Sequence, residues 1–210
     1  GLTSTNLQAL ESTDLQALTT TQIGQLSTAN LANLSTQQIV DLTTTQVQSL
    51  TSTQLRGLSS TNLQAMETTD VQALTTTQIS QLSTSNLSNL ATTQVATLTT
   101  TQVQALTTSS LSAMSTAGVQ ALTTTQVQSL TSTQLRGLSS TNLQALESTD
   151  LQALTTTQVS QLSTANLSNL TTAQVQLLTT TQVQSLTSTQ LIGLTSTNLQ
   201  ALESTDLQAL

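Results

Sequence analysis

Two aliphatic residues recur along the chain at alternating spacings of three and five, without one insertion, so that Thr3 to Leu210 divides into 26 consecutive octads. With Thr43 as position 1 and Leu50 as position 8, position 8 is Leu in 24 octads and Met in two (Met66 and Met114). Position 5 is always Leu, Ile or Val. A continuous α-helix cannot bury this pattern, because eight residues advance it by about 800° and the apolar stripe drifts by roughly 80° per octad. A flat strand cannot bury it either, since odd spacings put successive aliphatics on opposite faces.

A short helix that stops and restarts once per octad does fit. With Thr43 as N-cap, Gln46 falls at N3 and completes the S/T-x-x-Q capping box, while Leu42 and Val47 fall at N′ and N4 as a hydrophobic staple. Position 4 is Gln, Asn or Asp in 24 of the 26 octads, failing only at Ser110 and Gly118, and Asn and Asp are too short to close the box as well as Gln. Leu50 ends one octad and staples the next. A helix of about six residues, roughly 9 Å long, does not survive alone in water, so neighbouring octads must stack. The expected fold is an all-α solenoid of very short helices, one per octad, with positions 5 and 8 inside and Ser, Thr, Gln and Asn outside. A β-solenoid is the alternative, favoured by the Thr-Thr-Thr runs and by Val at position 5. Against it, Gly occupies no regular corner: Gly57, Gly137 and Gly193 are at position 7, Gly24 at position 6 and Gly118 at position 4. Sparse charge and regular aliphatics also oppose disorder.

Residues 3–210 read as a single array. Because the chain starts at Gly1 and both ends fall on the repeat phase, the sequence reads as an excerpt of a longer protein. There is no aromatic residue, Cys, Pro or His, and the net charge of −7 comes from nine acids and two Arg. The core must therefore be thin and aliphatic, and solubility must come from uncharged polar residues, which suits an extracellular repeat fibre better than a cytosolic domain. Catalysis is not expected, since Ser and Thr nucleophiles need a base and neither His nor Lys is present. Two Arg cannot neutralise a phosphate track, which argues against nucleic acid, and no apolar run is long enough for membrane insertion.

A longer period overlies the octad. The pair TSTNLQAL-ESTDLQAL, or a close variant, begins at Thr3, Ser59, Ser139 and Thr195, at spacings of 56, 80 and 56 residues. Internal duplication explains it, and the three-octad difference suggests three octads per superhelical turn. Each copy carries Glu-x-x-Asp: Glu11/Asp14, Glu67/Asp70, Glu147/Asp150 and Glu203/Asp206. Two carboxylates on one helical face beside hydroxyls form a candidate Ca²⁺ site. Acids in a first helical turn are also favoured by the helix dipole, which makes capping on a solvated face the simpler role. Arg56 and Arg136 share position 6 of TSTQLRGL, but Ile192 replaces them in the third copy, which argues against an indispensable site there.

At LTTTQVQSL, LTTTQVQAL and LTTAQVQLL, residues 2–210 resemble the L[TS]xxQ[VI]xxL octapeptide arrays of large bacterial proteins that are secreted or displayed at the cell surface. The resemblance implies a stalk, adhesin or filament segment, extracellular or surface-located, whose partners are neighbouring repeats or copies of itself in a homopolymer. The helix start is also similar to the LTPEQV of TAL-effector repeats, but their 34-residue period and base-reading loop are missing, so DNA recognition does not carry over. The rival function is a surface-recognition module in which a Thr/Gln-rich face meets ice, a glycan or a crystalline surface.

Overall fold

The computed structural model of the chain describes residues 3–202 and 204–209. One short helix forms in each octad, from α1 (Ser4–Gln8) to α26 (Ser204–Ala209), numbered in chain order, and no strand occurs among the described residues. The β-solenoid alternative is thereby set aside. Each helix holds five or six residues and begins at position 2. Position 1 is the N-cap in extended conformation, as at Thr43 (φ −71°, ψ 151°), and position 8 is extended again where the helix reaches that far, as at Leu50 (φ −61°, ψ 131°). Two successive extended residues therefore break the helix. No described residue needs a positive φ, so the break requires no glycine, in line with the scattered Gly positions.

The start signal works as its chemistry dictates. In α6 (Thr44–Ser49) the Thr43 hydroxyl accepts the Gln46 backbone N–H and the Gln46 side chain accepts the Thr43 N–H. The same reciprocal pair recurs wherever Thr or Ser precedes Gln in this register, from Thr19/Gln22 to Thr187/Gln190. Asn closes the box at Asn86 and Asn166 but not at Asn62, Asn142 or Asn198. Ala91, lacking a hydroxyl, keeps only the half supplied by Gln94.

The chain forms two compact units, Gly1–Leu106 and Thr107–Leu210. Within each, helices pack on the third helix along: α1 on α4 (Thr28–Ala32) and α6 on α9 (Thr68–Ala73) in the first, α16 (Thr124–Ser129) on α19 (Ser148–Ala153) and α22 (Thr172–Gln176) on α25 (Ser196–Ala201) in the second. Side-chain hydrogen bonds between coils span 25 to 31 residues, so a turn takes between three and four octads rather than three.

Burial gives each coil two different faces. In the first coil of the first unit the position-5 residues Leu7, Leu15 and Ile23 are fully buried, while Asn6, Asp14 and Gln22 at position 4 are exposed and Leu10, Leu18 and Leu26 at position 8 are only half-buried. In the last coil of the second unit the pattern inverts: Leu199 and Leu207 at position 5 are 44% and 47% exposed, yet Asn198 and Asp206 at position 4 are buried. Position 5 therefore faces the following coil, and positions 4 and 8 face the preceding one. Once a coil lies on each side, both aliphatic positions are buried, as at Val47 and Leu50.

Leu50 is at once the end of α6 and the residue before the N-cap of α7 (Ser52–Gly57). Leu50→Asp places a charge in this buried seam and is expected to cost at least about 2–5 kcal/mol, the range for emptying such a site. Thermal unfolding followed by circular dichroism checks this, with loss of helix beyond a single octad.

Candidate functional site

The polar residues expected outside include one set that lies inside. From the fifth octad onward position 4 is buried, with Gln46 at 2% exposure and Gln94 at 1%. The physical cause is the shortness of the helices. Each ends after five or six residues and leaves its last carbonyls without intrahelical donors. The position-4 amide of a later octad donates to these end carbonyls, adding at Leu15 to the backbone bond from the Leu18 N–H. Gln46 Nε2 donates to the carbonyls of Leu15 (2.8 Å), Gln16 (3.3 Å) and Leu18 (2.8 Å), at the end of α2 (Ser12–Ala17). Gln102 does the same to Val71, Gln72 and Leu74, and Gln182 to Leu151, Gln152 and Leu154. One amide thus caps its own helix through its oxygen and closes an earlier helix through its nitrogen.

A second, outer set of bonds runs the other way. Gln at position 6 donates to the position-7 carbonyl 25 residues later, as in Gln48 to Ala73 (3.1 Å), Gln64 to Asn89 (2.8 Å) and Gln144 to Asn169 (2.7 Å). These are exposed and carry correspondingly less weight.

The acidic candidates divide. Glu11, Glu67 and Glu147 are exposed N-cap residues whose side chains make no cap hydrogen bond. Asp14, in the first coil described, is exposed, whereas Asp70, Asp150 and Asp206 are 2%, 3% and 4% exposed in the position that Gln occupies elsewhere. Glu203 lies outside the described residues. A solvated face therefore accounts for Asp14 and not for the other three. Asp70 accepts from Thr44 Oγ1 (2.8 Å) and Asp150 from Thr124 Oγ1 (3.0 Å), the same pairing once in each unit. Burial pushes both carboxyls above the ordinary carboxylate value; the Thr hydroxyl opposes this and Glu67 or Glu147 adds to it. Among the described residues no three acidic side chains converge as a metal cluster would require. Asp41 differs again: it is held below the ordinary value by hydrogen bonds from Ser12 and Gln37 at the surface.

The Arg residues are exposed, and Arg136 lies along its own helix with Nε 3.5 Å from the Ser132 carbonyl. Thr at position 3, such as Thr45, Thr53 and Thr77, stays exposed, whereas Thr at position 1 is taken up in caps. No helix among the described residues is long and apolar enough to cross a membrane.

Sequence reasoning found the caps and missed the burial of position 4, because the capping box already accounts for Gln there. Its available signal was the preference for Gln over Glu. A carboxylate could close the box equally well, but only an amide has a nitrogen left to donate.

A family model described as ALTTAQ repeat matches residues 7–44, 47–84, 63–100, 100–132, 132–164 and 143–180, most of the chain. No curated protein matches it.

Asp70 cannot donate to the coil before it unless protonated. Asp70→Asn with Asp150→Asn restores a donor of the kind Asn62 gives to Ala32 and Leu34, and is expected to stabilise by about 0.5–1.5 kcal/mol per site. The folded carboxyls hold their protons more tightly than the unfolded ones. Their stabilisation is therefore complete below the ordinary carboxyl value and lost as pH rises through the raised value. The advantage of the double variant over the wild type should appear across that window and persist at neutral pH, read from melting temperature against pH.

Proposed function

The chain belongs to the ALTTAQ repeat family, and from that premise we propose that it serves as a structural spacer, the repeat region of an extracellular fibre, stalk or bacterial-type surface adhesin. The observation that carries this reading is the self-templating octad. Within each unit coils are joined by the same kind of position-4 amide bond and the same two aliphatics, interrupted only where position 4 is Asp, Ser or Gly, so extent is set by octad number. Uncharged hydroxyl and amide side chains on the outside suit a segment that spans distance without binding strongly to what it passes. The stacking faces also suit association between copies, which extends the reading to a homopolymer.

The second reading, a module that recognises ice, a glycan or a crystalline surface, is favoured by one observation. Thr occupies position 3 in 19 of the 26 octads, exposed and not part of the caps, so these residues are available as a face of interrupted periodicity.

Two measurements separate these readings. Protease treatment of intact cells producing the protein is expected to release the array, and an array protected until lysis contradicts surface display. Replacing Thr45, Thr53 and Thr77 together by Tyr is expected to leave thermal stability within about 0.5 kcal/mol per exposed site. Under the spacer reading the replacement also leaves glycan or ice binding unchanged. Loss of a measurable binding activity with stability intact supports the recognition face instead.

A further inference from the structure

The octad that makes the fold also creates an ambiguity. Positions 5 and 8 are aliphatic in every octad and the position-4 amides donate to backbone carbonyls, which every octad offers, so the aliphatics and amide bonds would be satisfied almost equally if a coil slid by one octad along its neighbour. Something outside these positions must distinguish the correct partner.

One column of contacts between coils does vary. The position-2 residue of an octad lies against the position-7 residue 29 positions later. Asn33 Nδ2 donates to Ser4 Oγ (3.3 Å), and Ser12 Oγ donates to Asp41. A Cβ added at Gly57 would sit 3.2 Å from Thr28 Cβ, one at Gly193 2.8 Å from Thr164 Cβ, and one at Gly137 would overlap the Thr108 methyl group. Where position 7 has no side chain, the Thr methyl occupies the space it leaves.

The residue types along this column follow a single rule within each unit. Wherever position 2 is Ser, the facing residue is large: Asn33, Asp41, Gln81 and Asn89 against Ser4, Ser12, Ser52 and Ser60 in the first unit. In the second unit Gln161, Asn169 and Leu177 face Ser132, Ser140 and Ser148. Wherever position 2 is Thr, the facing residue is Gly, Ala, Ser or Thr, without exception. The rule fails at every neighbouring register. One octad short, Thr20 would meet Asp41; one octad long, Thr44 would meet Gln81; within a single octad, Thr28 would meet Asn33.

Duplication alone does not produce it, because both members change together between copies. Ser12/Asp41, Thr68/Thr97 and Ser148/Leu177 occupy equivalent places in successive blocks, and each keeps one small and one large partner or two of middle size. Volume is the shared quantity, since Leu177 is apolar and Gln161 Oε1 is buried with no hydrogen-bond partner.

We propose that the position-2/position-7 column is the specificity determinant of stacking, a size-complementary code that selects which octad each octad packs on. It directs the repeat to one register, and it works against exchange of coils between copies of the chain, which would match every other position.

Four variants of the chain test this: Thr97→Leu, Thr68→Ser, the two combined, and Thr97→Leu combined with Thr76→Ser, a change at a position-2 residue that does not face position 97. Thr97→Leu is expected to lower the melting temperature by several degrees and Thr68→Ser to change it little. The facing double variant should recover most of the loss, and the non-facing one none of it. Native-state hydrogen exchange on α9 and α12 (Thr92–Thr97) reads the same coupling locally, and it remains informative if the global transition is broad. Additive effects in the facing pair, or equal rescue by Thr76→Ser, overturn the proposal.

Discussion

A side-chain amide that serves two helices at once is the interaction on which the rest of this structure depends. A helix of five or six residues cannot satisfy its own ends, and no fold built from such helices is stable unless other groups do so. At position 4 the Gln oxygen meets the N-terminus of its own helix and the nitrogen meets the C-terminus of a helix four octads earlier. The octad length follows from this geometry. It is long enough to bring position 4 over the earlier carbonyls and short enough that positions 8 and 1, both extended, end the helix before it needs a glycine.

That bond has a direction, and the packing inherits it. Positions 4 and 8 face the preceding coil and position 5 faces the following one, which is why Asn6 is exposed in the first coil and Leu199 in the last. A coil with two unlike faces can be extended by adding more of the same, whatever the number already present. Uniform addition has a cost in specificity, because identical octads offer identical partners. The matched sizes along Ser4/Asn33 and Thr28/Gly57 supply what the repeat itself removes.

The octad, its restarting helices and their caps were legible in the sequence because they are local: Thr43, Gln46, Leu42 and Val47 lie within six residues of one another. Stacking was not legible by the same means, since it joins residues 25 to 31 apart in a chain where every octad resembles the next. Three octads per turn, suggested by the unequal duplication spacing, counted the right helix neighbour but missed the amide bonds that reach further. Gln46 was read for its oxygen alone, so the burial that its nitrogen enforces went unseen. Local chemistry alone suits Asp70 and Asp150 to a solvated first turn, and the coil before them is what buries them. Volume matching 29 residues apart was present in the sequence, but it becomes a meaningful comparison only once the contact is known.

Side-chain amide hydrogen exchange measured by NMR tests the central claim most directly. If the position-4 amides hold the coils together, the Nε2 protons of Gln46, Gln102 and Gln182 exchange as slowly as the buried backbone, while those of the exposed Gln48 and Gln144 exchange at nearly free rates. Equal, fast exchange at both sets would contradict the account, because the coils would then be held by aliphatic packing alone.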